Sequence, residues 1–293
     1  MSTIGLVTVL FNSNDVLEGF FKSLAQQTYK TFNLYIVDNT PSIETDLLLS
    51  DLQRKYSVPQ YTHIKNTTNV GVAKGNNQGI ELSISDNCEY TLLLNNDIEF
   101  SQPGLFNDLV EIAEKRNENL ITTKILFFDS KKIWMAGGIM DFWLGVTSHI
   151  GYNCDDDDKY NREMYVSYAP TCFMLVRNTV FKEIGAMDEQ YFVYYDDTDF
   201  VYRALKNGFK LLYVPEYCIL HKVSSSTGGE DSQFSVYYML RNRILFLRKN
   251  FKNIRFLYGY SYCCLSSIYR YIKKAKYRKT IVSAFREGMR MEI

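Results

Sequence analysis

The sequence predicts an α/β fold: a mostly parallel central sheet flanked by helices, with a helical, basic C-terminal extension. Three observations carry this expectation. Short apolar runs alternate with stretches of helical spacing through the first hundred residues. The joints between them are short, as βα units require. Charge is also divided along the chain. Residues 241–293 hold 14 Lys and Arg against 2 Asp and Glu, whereas the first 240 hold 19 against 31, although the 293 residues sum to zero. A basic tail on an acidic body suits an anionic partner for the tail.

Ile4 to Leu10 reads as a buried strand. A helix follows over Asp15–Gln27, where Val16, Leu17, Phe20, Phe21 and Leu24 share one face and Asn14 is the expected N-cap. Phe32 to Val37 is the next strand, Glu44 to Lys55 a helix, and Tyr61 to Ile64 a short strand. Gly71 to Ser83 is helical, and Tyr90 to Leu94 is again strand. Pro103–Lys115 is expected as helix and Asn119–Phe127 as strand. Ile133 to Tyr165 carries mixed signals, and its acidic run Asp155–Asp158 reads as a solvated loop. Ser167–Arg177 is expected as strand, Asp196–Asn207 as helix, and Phe209–Val214 as a strand ended by Pro215. From Ser235 the chain is expected to be helical, which divides it into a catalytic domain, 1–234, and a C-terminal segment, 235–293.

The six cysteines (88, 154, 172, 218, 263 and 264) form no CxxC pair, so reduced thiols are expected. Ile4–Phe11 lacks the basic flank and cleavage site of a signal peptide. No run reaches the roughly 18 apolar residues of a membrane span. The expected location is the cytoplasm, at the inner face of the cell membrane if the basic tail binds lipid.

Polar residues cluster where strands end. The run Thr91–Leu94 stops at Asn95-Asn96-Asp97, and Ile36-Val37 stops at Asp38. Asn12 follows the first strand. Ligands of open α/β sheets bind at the carboxyl ends of strands. There, Asp97 is placed to hold a divalent cation against phosphate oxygens, and Asp38 to accept hydrogen bonds from a ribose or base. Turn chemistry explains each of these alone. Gly71, Gly75 and Gly79 recur every four residues within Asn69–Gly79, a side-chain-free stripe that lets a strand or a nucleotide approach closely. Asp196, Asp197 and Asp199 crowd one predicted helix start; a cap needs one carboxylate, and crowding tunes a pKa for base work. His221 is a distal candidate metal ligand, whereas His63 and His149 have no such context.

Together these residues resemble inverting glycosyltransferase family 2, of GT-A fold, over roughly Ile4–Asn250. Val7 to Asn12 is similar to the opening strand, and Asp38 to the carboxylate at the nucleotide base. Gly71, Asn77 and Gly79 are similar to the glycine–asparagine helix start, in a segment where Asn69 and Lys74 are further donor-binding candidates. Asn95-Asn96-Asp97 takes the DxD position. Asp196-Asp197 takes that of a Glu-Asp pair whose second member is the catalytic base. Tyr238 and Arg241-Asn242-Arg243 resemble the C-terminal signature of the bacterial rhamnosyltransferase-like branch. Two departures stand out: Asn95 replaces the first DxD acid, and Asp196 is one methylene shorter than Glu.

The resemblance implies sugar transfer, with inversion, from a nucleoside diphosphate donor to a hydroxyl of a glycan or lipid-linked glycan. Rhamnose is favoured, with galactofuranose or another hexose as the alternative. Asp97 and His221 would hold Mn²⁺ or Mg²⁺. Asp199, Tyr238, Arg241 and Arg243 are candidates for acceptor or pyrophosphate. A nucleotidyltransferase is disfavoured because Phe11–Asp15 has no Gly or Lys, and a non-catalytic glycan-binding protein has no use for Asp97, Asp197 and His221 together. The aromatic-then-basic tail suits either peripheral membrane association or a homodimer. The acidic body argues against nucleic acid.

Overall fold

A computed structural model of the chain describes residues 2–222 and 232–293. It opens with β1 (Ile4–Leu10), α1 (Leu17–Ala25), β2 (Phe32–Asp38), α2 (Ile43–Tyr56), β3 (Tyr61–Lys65), α3 (Gly71–Ser85) and β4 (Tyr90–Leu94). The short β5 (Ile98–Glu99), α4 (Leu105–Arg116) and β6 (Leu120–Phe127) follow. Residues 133–165, whose signals are mixed, form the short strands β7 (Ile133–Met135), β8 (Gly138–Asp141) and β9 (Val146–His149), and begin β10 (Met164–Val166). Then come β11 (Phe173–Arg177), α5 (Asn178–Ile184), α6 (Asp196–Lys206) and β12 (Leu211–His221). Three helices end the chain: α7 (Gln233–Asn250), α8 (Asn253–Lys273) and α9 (Arg278–Arg290).

The main sheet runs β10-β12-β6-β11-β4-β1-β2-β3. Its β3-β2-β1-β4 half is parallel, and β11 enters antiparallel between β4 and β6. Parallel pairing sends the ends of β1, β2 and β4 to one edge. The antiparallel β11 brings its beginning there, where the Asn95 N–H donates to Cys172 O at 2.9 Å. Strands β1, β2 and β4 are almost wholly buried, as sheets covered on both faces require, while β3 at the edge is partly exposed. Leu17, Phe20, Phe21 and Leu24 of α1 cover one face, with Leu6, Leu34, Leu92 and Leu93 in the same core.

Three expectations are corrected. Asn14 does not cap α1: its Oδ1 accepts from Thr45, and the helix starts after Val16. The strand expected over Ser167–Arg177 is broken, with only Phe173–Arg177 in the ladder and Pro170 in the gap. Pro215 does not end its strand. The register between β12 and β6 skips from Val214 to Cys218, so the residue lacking an N–H is accommodated in a bulge. Beyond it β12 runs on to His221.

Candidate active site

Asp97 leaves β4 and leads into β5, whose Ile98 and Glu99 pair with His221 and Leu220 of β12. That pairing brings two residues 124 positions apart face to face: Asp97 Oδ1 lies 3.2 Å from His221 Nε2. The backbone bond from Lys222 N to Asp97 O (2.9 Å) fixes the crossing. Asp97 Oδ1 and His221 Nδ1 are buried without hydrogen-bond partners. The orphaned Asp97 oxygen demands an explanation, and a cation held between it and His221 Nε2 is a fitting one. Among the described residues no third His, Cys, Asp or Glu joins them. The pair therefore fits a metal whose remaining ligands come from substrate oxygens and water.

Asp38 ends β2 with 1 % exposure. Its Oδ1 accepts from Thr40 N at 2.8 Å, while Oδ2 has no hydrogen-bond partner and lies 3.4 Å from His63 Nε2. His63, without context in the sequence, thus stands between Asp38 and Asp46, the latter at 3.5 Å. Asn12 is exposed beside them in left-handed backbone (φ 50°), its N–H donating to Thr40 Oγ1. Asn96 is buried and bonds Val9 O at 2.6 Å, tying β4 to β1, while Asn95 is exposed.

The helix start at Asp196 lies on the same edge. Asp197 Oδ2 accepts from Tyr168 OH at 2.7 Å, and its Oδ1 from Thr198 N at 2.6 Å and Thr198 Oγ1 at 3.1 Å. The buried Cys172 thiol is pushed well up by burial and then by the negative charges of Asp97 and Asp197. Burial raises Asp197, opposed by the hydrogen bonds from Tyr168 and Thr198. Asp196 is pushed up to about 8 by burial and by Asp197 beside it. Crowding of two buried carboxyls favours keeping a proton on the pair, and the bonds from Tyr168 and Thr198 favour leaving it on Asp196. A ring contact chain closes the floor. Trp134 meets His221 edge-on (4.6 Å) and His149 (4.4 Å), and His149 stacks on Tyr168 (5.9 Å). Burial lowers His149 to about 4, so it is neutral at pH 7.

The loop before α6 is strained. Phe192, Tyr194 and Tyr195 all have positive φ (62°, 63° and 68°), and the bond from Val193 N to Tyr191 O makes Phe192 the centre of a γ-turn. Such residues cost on the order of 1–3 kcal/mol each and persist only when neighbours over-determine them. The fully buried Asn242 of α7 donates to three carbonyls here, those of Tyr191, Val193 and Tyr194, at 2.7–2.8 Å. Arg241 donates to Gln190 O and Tyr191 O. From the other side, Val72 N at the start of α3 donates to Phe192 O at 2.6 Å.

Several sequence-predicted site residues have their side chains or backbone engaged within the protein. Gly71 is needed because its φ is +86° and a Cβ would lie 2.5 Å from Phe192 O; Gly75 and Gly79 press on Val9 and Val7 of β1. Asn69 accepts from Gly71 N. Asn77 pairs through both amide ends with the backbone of Met187. Asp199 is 1 % exposed and accepts from Arg203, Asn250 and Tyr191. Arg241, 7 % exposed, also reaches Glu287 of α9 and has no face left for a pyrophosphate. Lys74 lies 3.6 Å from Glu189, half-exposed. Tyr238 stacks on Phe192, and Arg243 Nη2 bonds Leu144 O. Sequence reasoning missed Tyr168, Asn242 and His63. Asn242 was visible only as the middle of Arg241-Asn242-Arg243.

The description Glycosyl transferase family 2 matches residues 6–185. The chain belongs to that family. Among curated relatives, this family 2 chain is 23 % identical over 262 residues to the dTDP-rhamnosyl transferase RfbF of Shigella flexneri, covering 84 % of this chain and 80 % of that one. It is 23 % identical over 249 residues to the low-salt glycan biosynthesis hexosyltransferase Agl10 of Haloferax volcanii, covering 84 % and 75 %. Its fold matches the mannosyltransferase PcManGT of Pyrobaculum calidifontis, solved with GDP-Man and Mn²⁺ (TM-score 0.60, 10 % identity, 100 % and 76 % covered). It also matches TarS of S. aureus (TM-score 0.59, 15 % identity, 87 % of this chain), of which it spans 41 %. The family 2 assignment and these folds agree with the expected GT-A architecture.

Proposed function

We propose that the protein transfers a sugar, rhamnose first among candidates, from a nucleoside diphosphate to a hydroxyl of a bacterial surface glycan, with inversion. The observation that carries this reading is the chain of ring contacts from His221, beside Asp97, through Trp134 and His149 to Tyr168, whose hydroxyl holds Asp197, together with the unpartnered oxygen of Asp38 at the end of β2. Asp38 and Asp97 leave strands two apart, roughly 10 Å at the usual strand spacing. A nucleoside diphosphate fits across that gap, with its base or ribose at Asp38 and its phosphates at Asp97. Asn12, Asn95 and Lys74 would be further donor contacts.

Asp97 and His221 would hold Mn²⁺ or Mg²⁺, which when bound neutralises charge on the departing diphosphate. Asp197 takes the proton of the acceptor hydroxyl as that oxygen bonds the anomeric carbon. The bond from that carbon to the diphosphate oxygen breaks in the same displacement, which inverts the centre. Tyr168 and Thr198 aim the Asp197 carboxylate and oppose the rise that burial imposes on it, while Asp196 beside it is pushed up to about 8. The rhamnosyl preference rests on the relatives, RfbF among them.

A screen of nucleotide sugars for diphosphate release, with and without EDTA, tests the reading. dTDP-rhamnose is the first donor to try. Release from no donor, in the presence of Mn²⁺ and a range of glycan acceptors, would overturn it.

A further inference from the structure

The helix α8 has two faces. Gly259 and Cys263 are buried against the protein. On the opposite side Ile254, Leu257, Tyr258, Leu265, Ile268 and Ile272 are 55–67 % exposed. At 100° per residue they fall in one stripe about 100° wide. The stripe is longer and more apolar than scattered surface residues are. Trp143, 47 % exposed, adjoins it from the turn between β8 and β9, edge-on to Tyr258 with Arg255 over its ring. An apolar groove of about 510 Å³ between α8 and α9 continues the face, lined by Ile268, Tyr271, Val282 and Phe285. Arg270, Lys273 and Lys279 stand exposed at the far end. Among the described residues no helix is long and apolar enough to cross a membrane.

We propose that the α8–α9 face seats the protein on an anionic bilayer, with α8 lying in the plane of the interface. Charge chooses this occupant over a second copy of the chain. A second copy would bring the exposed Arg255, Arg270, Lys273 and Lys279 of the same face against themselves, whereas anionic headgroups complement them. Trp143 and the tyrosines of α8 suit the headgroup level, where amphipathic rings concentrate. The seat is close to the chemistry. Trp143 is followed by Leu144 and Gly145, whose carbonyls accept from Arg243 and from Tyr195, the neighbour of Asp196. Resting on the transferase reading, the seat makes a lipid-linked hydroxyl the natural acceptor.

The test is sedimentation of the full chain with phosphatidylcholine vesicles, with and without phosphatidylglycerol, at low and high salt. Binding to the anionic vesicles only, released by salt, is expected. Lipids brominated in their chains should quench Trp143, and Trp143→Phe should remove that quenching. Leu265→Asp, at a position 67 % exposed, should weaken binding about tenfold or more. Its release of nucleotide from a donor with a soluble acceptor should be unchanged, which separates this proposal from the transferase itself. Absence of binding at low salt overturns the proposal, as does binding without quenching. A dimer in sedimentation velocity that Leu265→Asp dissociates would give the face to a second copy and overturn it equally.

Discussion

Asp38 and Asp97 reach the site on the ends of buried parallel strands, whereas Asp197 hangs from a loop with three left-handed residues. The first pair needs nothing beyond the sheet to be in place: β1, β2 and β4 are regular, and only short turns follow them. The second is held against its own backbone preference by Asn242 and Arg241 of α7 and by the start of α3. One side of the site is positioned by repetition, the other by long-range bonds to carbonyls. The two should therefore fail differently when cut.

The largest effect expected is at the chemical group itself. Asp197→Asn keeps shape and removes the base, and transfer should fall on the order of 10² to 10⁴-fold with donor affinity nearly intact. Near-normal turnover would move the base to another residue, Asp196 first. Asn242→Ala comes next. It touches no substrate in this arrangement, yet its loss leaves the Val193 and Tyr194 carbonyls of the strained loop without Asn242 and the Tyr191 carbonyl with only Arg241 and the γ-turn bond from Val193 N. A base displaced by about 1 Å costs on the order of 10² in kcat. The KM for donor should hold, because the strand ends are untouched. A variant that loses donor KM as much as kcat would show that the two sides are not independently built.

Asp97→Ala tests the regular side alone. Calorimetric titration of the nucleoside diphosphate should show affinity in Mn²⁺ falling about tenfold or more. In EDTA, wild type and variant should bind alike. Wild type that binds equally well with and without Mn²⁺ would remove the metal from this edge.

The smallest effect concerns stability. The Asp196 pKa is raised from 3.8 to about 8, so between those values the fold holds a proton that the unfolded chain has released. Its contribution is complete below 3.8 and declines as pH rises toward 8. His149 acts in the opposite sense between about 4 and 6.5, where the unfolded chain holds the proton. Asp196→Asn stays neutral throughout. Its urea midpoint relative to wild type should therefore rise from about pH 4 to about pH 8. A constant difference across that window would mean that Asp196 ionises normally.

What the sequence displays follows the same division. Periodicity and apolar runs are local, so β1 through β4 and the helices between them can be read from spacing. The strand-end polar residues can be read because nothing in core packing asks for them. The pairing of Asp97 with His221 depends on a two-residue strand and on a bulge that carries the chain past Pro215; neither has a local signal. Asn242 and Tyr168 act on residues 48 to 51 and 29 positions away, through bonds no pattern announces. Residues such as Asn77, Asp199 and Arg241 can be picked out as special, but their chemistry is directed inward to the frame of the site.

The place of β11 has a consequence for how the chain is made. β4 is buried throughout, flanked by β1 on one side and β11 on the other. β1 is synthesised before it, but β11 ends only at Arg177. At about 5–20 residues per second the ribosome needs roughly 4–16 s to add the intervening segment. Until then the nascent β1–β4 half carries an apolar strand with an open edge, a template for pairing with another chain. The growing protein must shield that edge with its own α3 and α4 or with a chaperone, and slowing translation between Leu94 and Arg177 should lower the yield of native protein more than slowing it after Arg177.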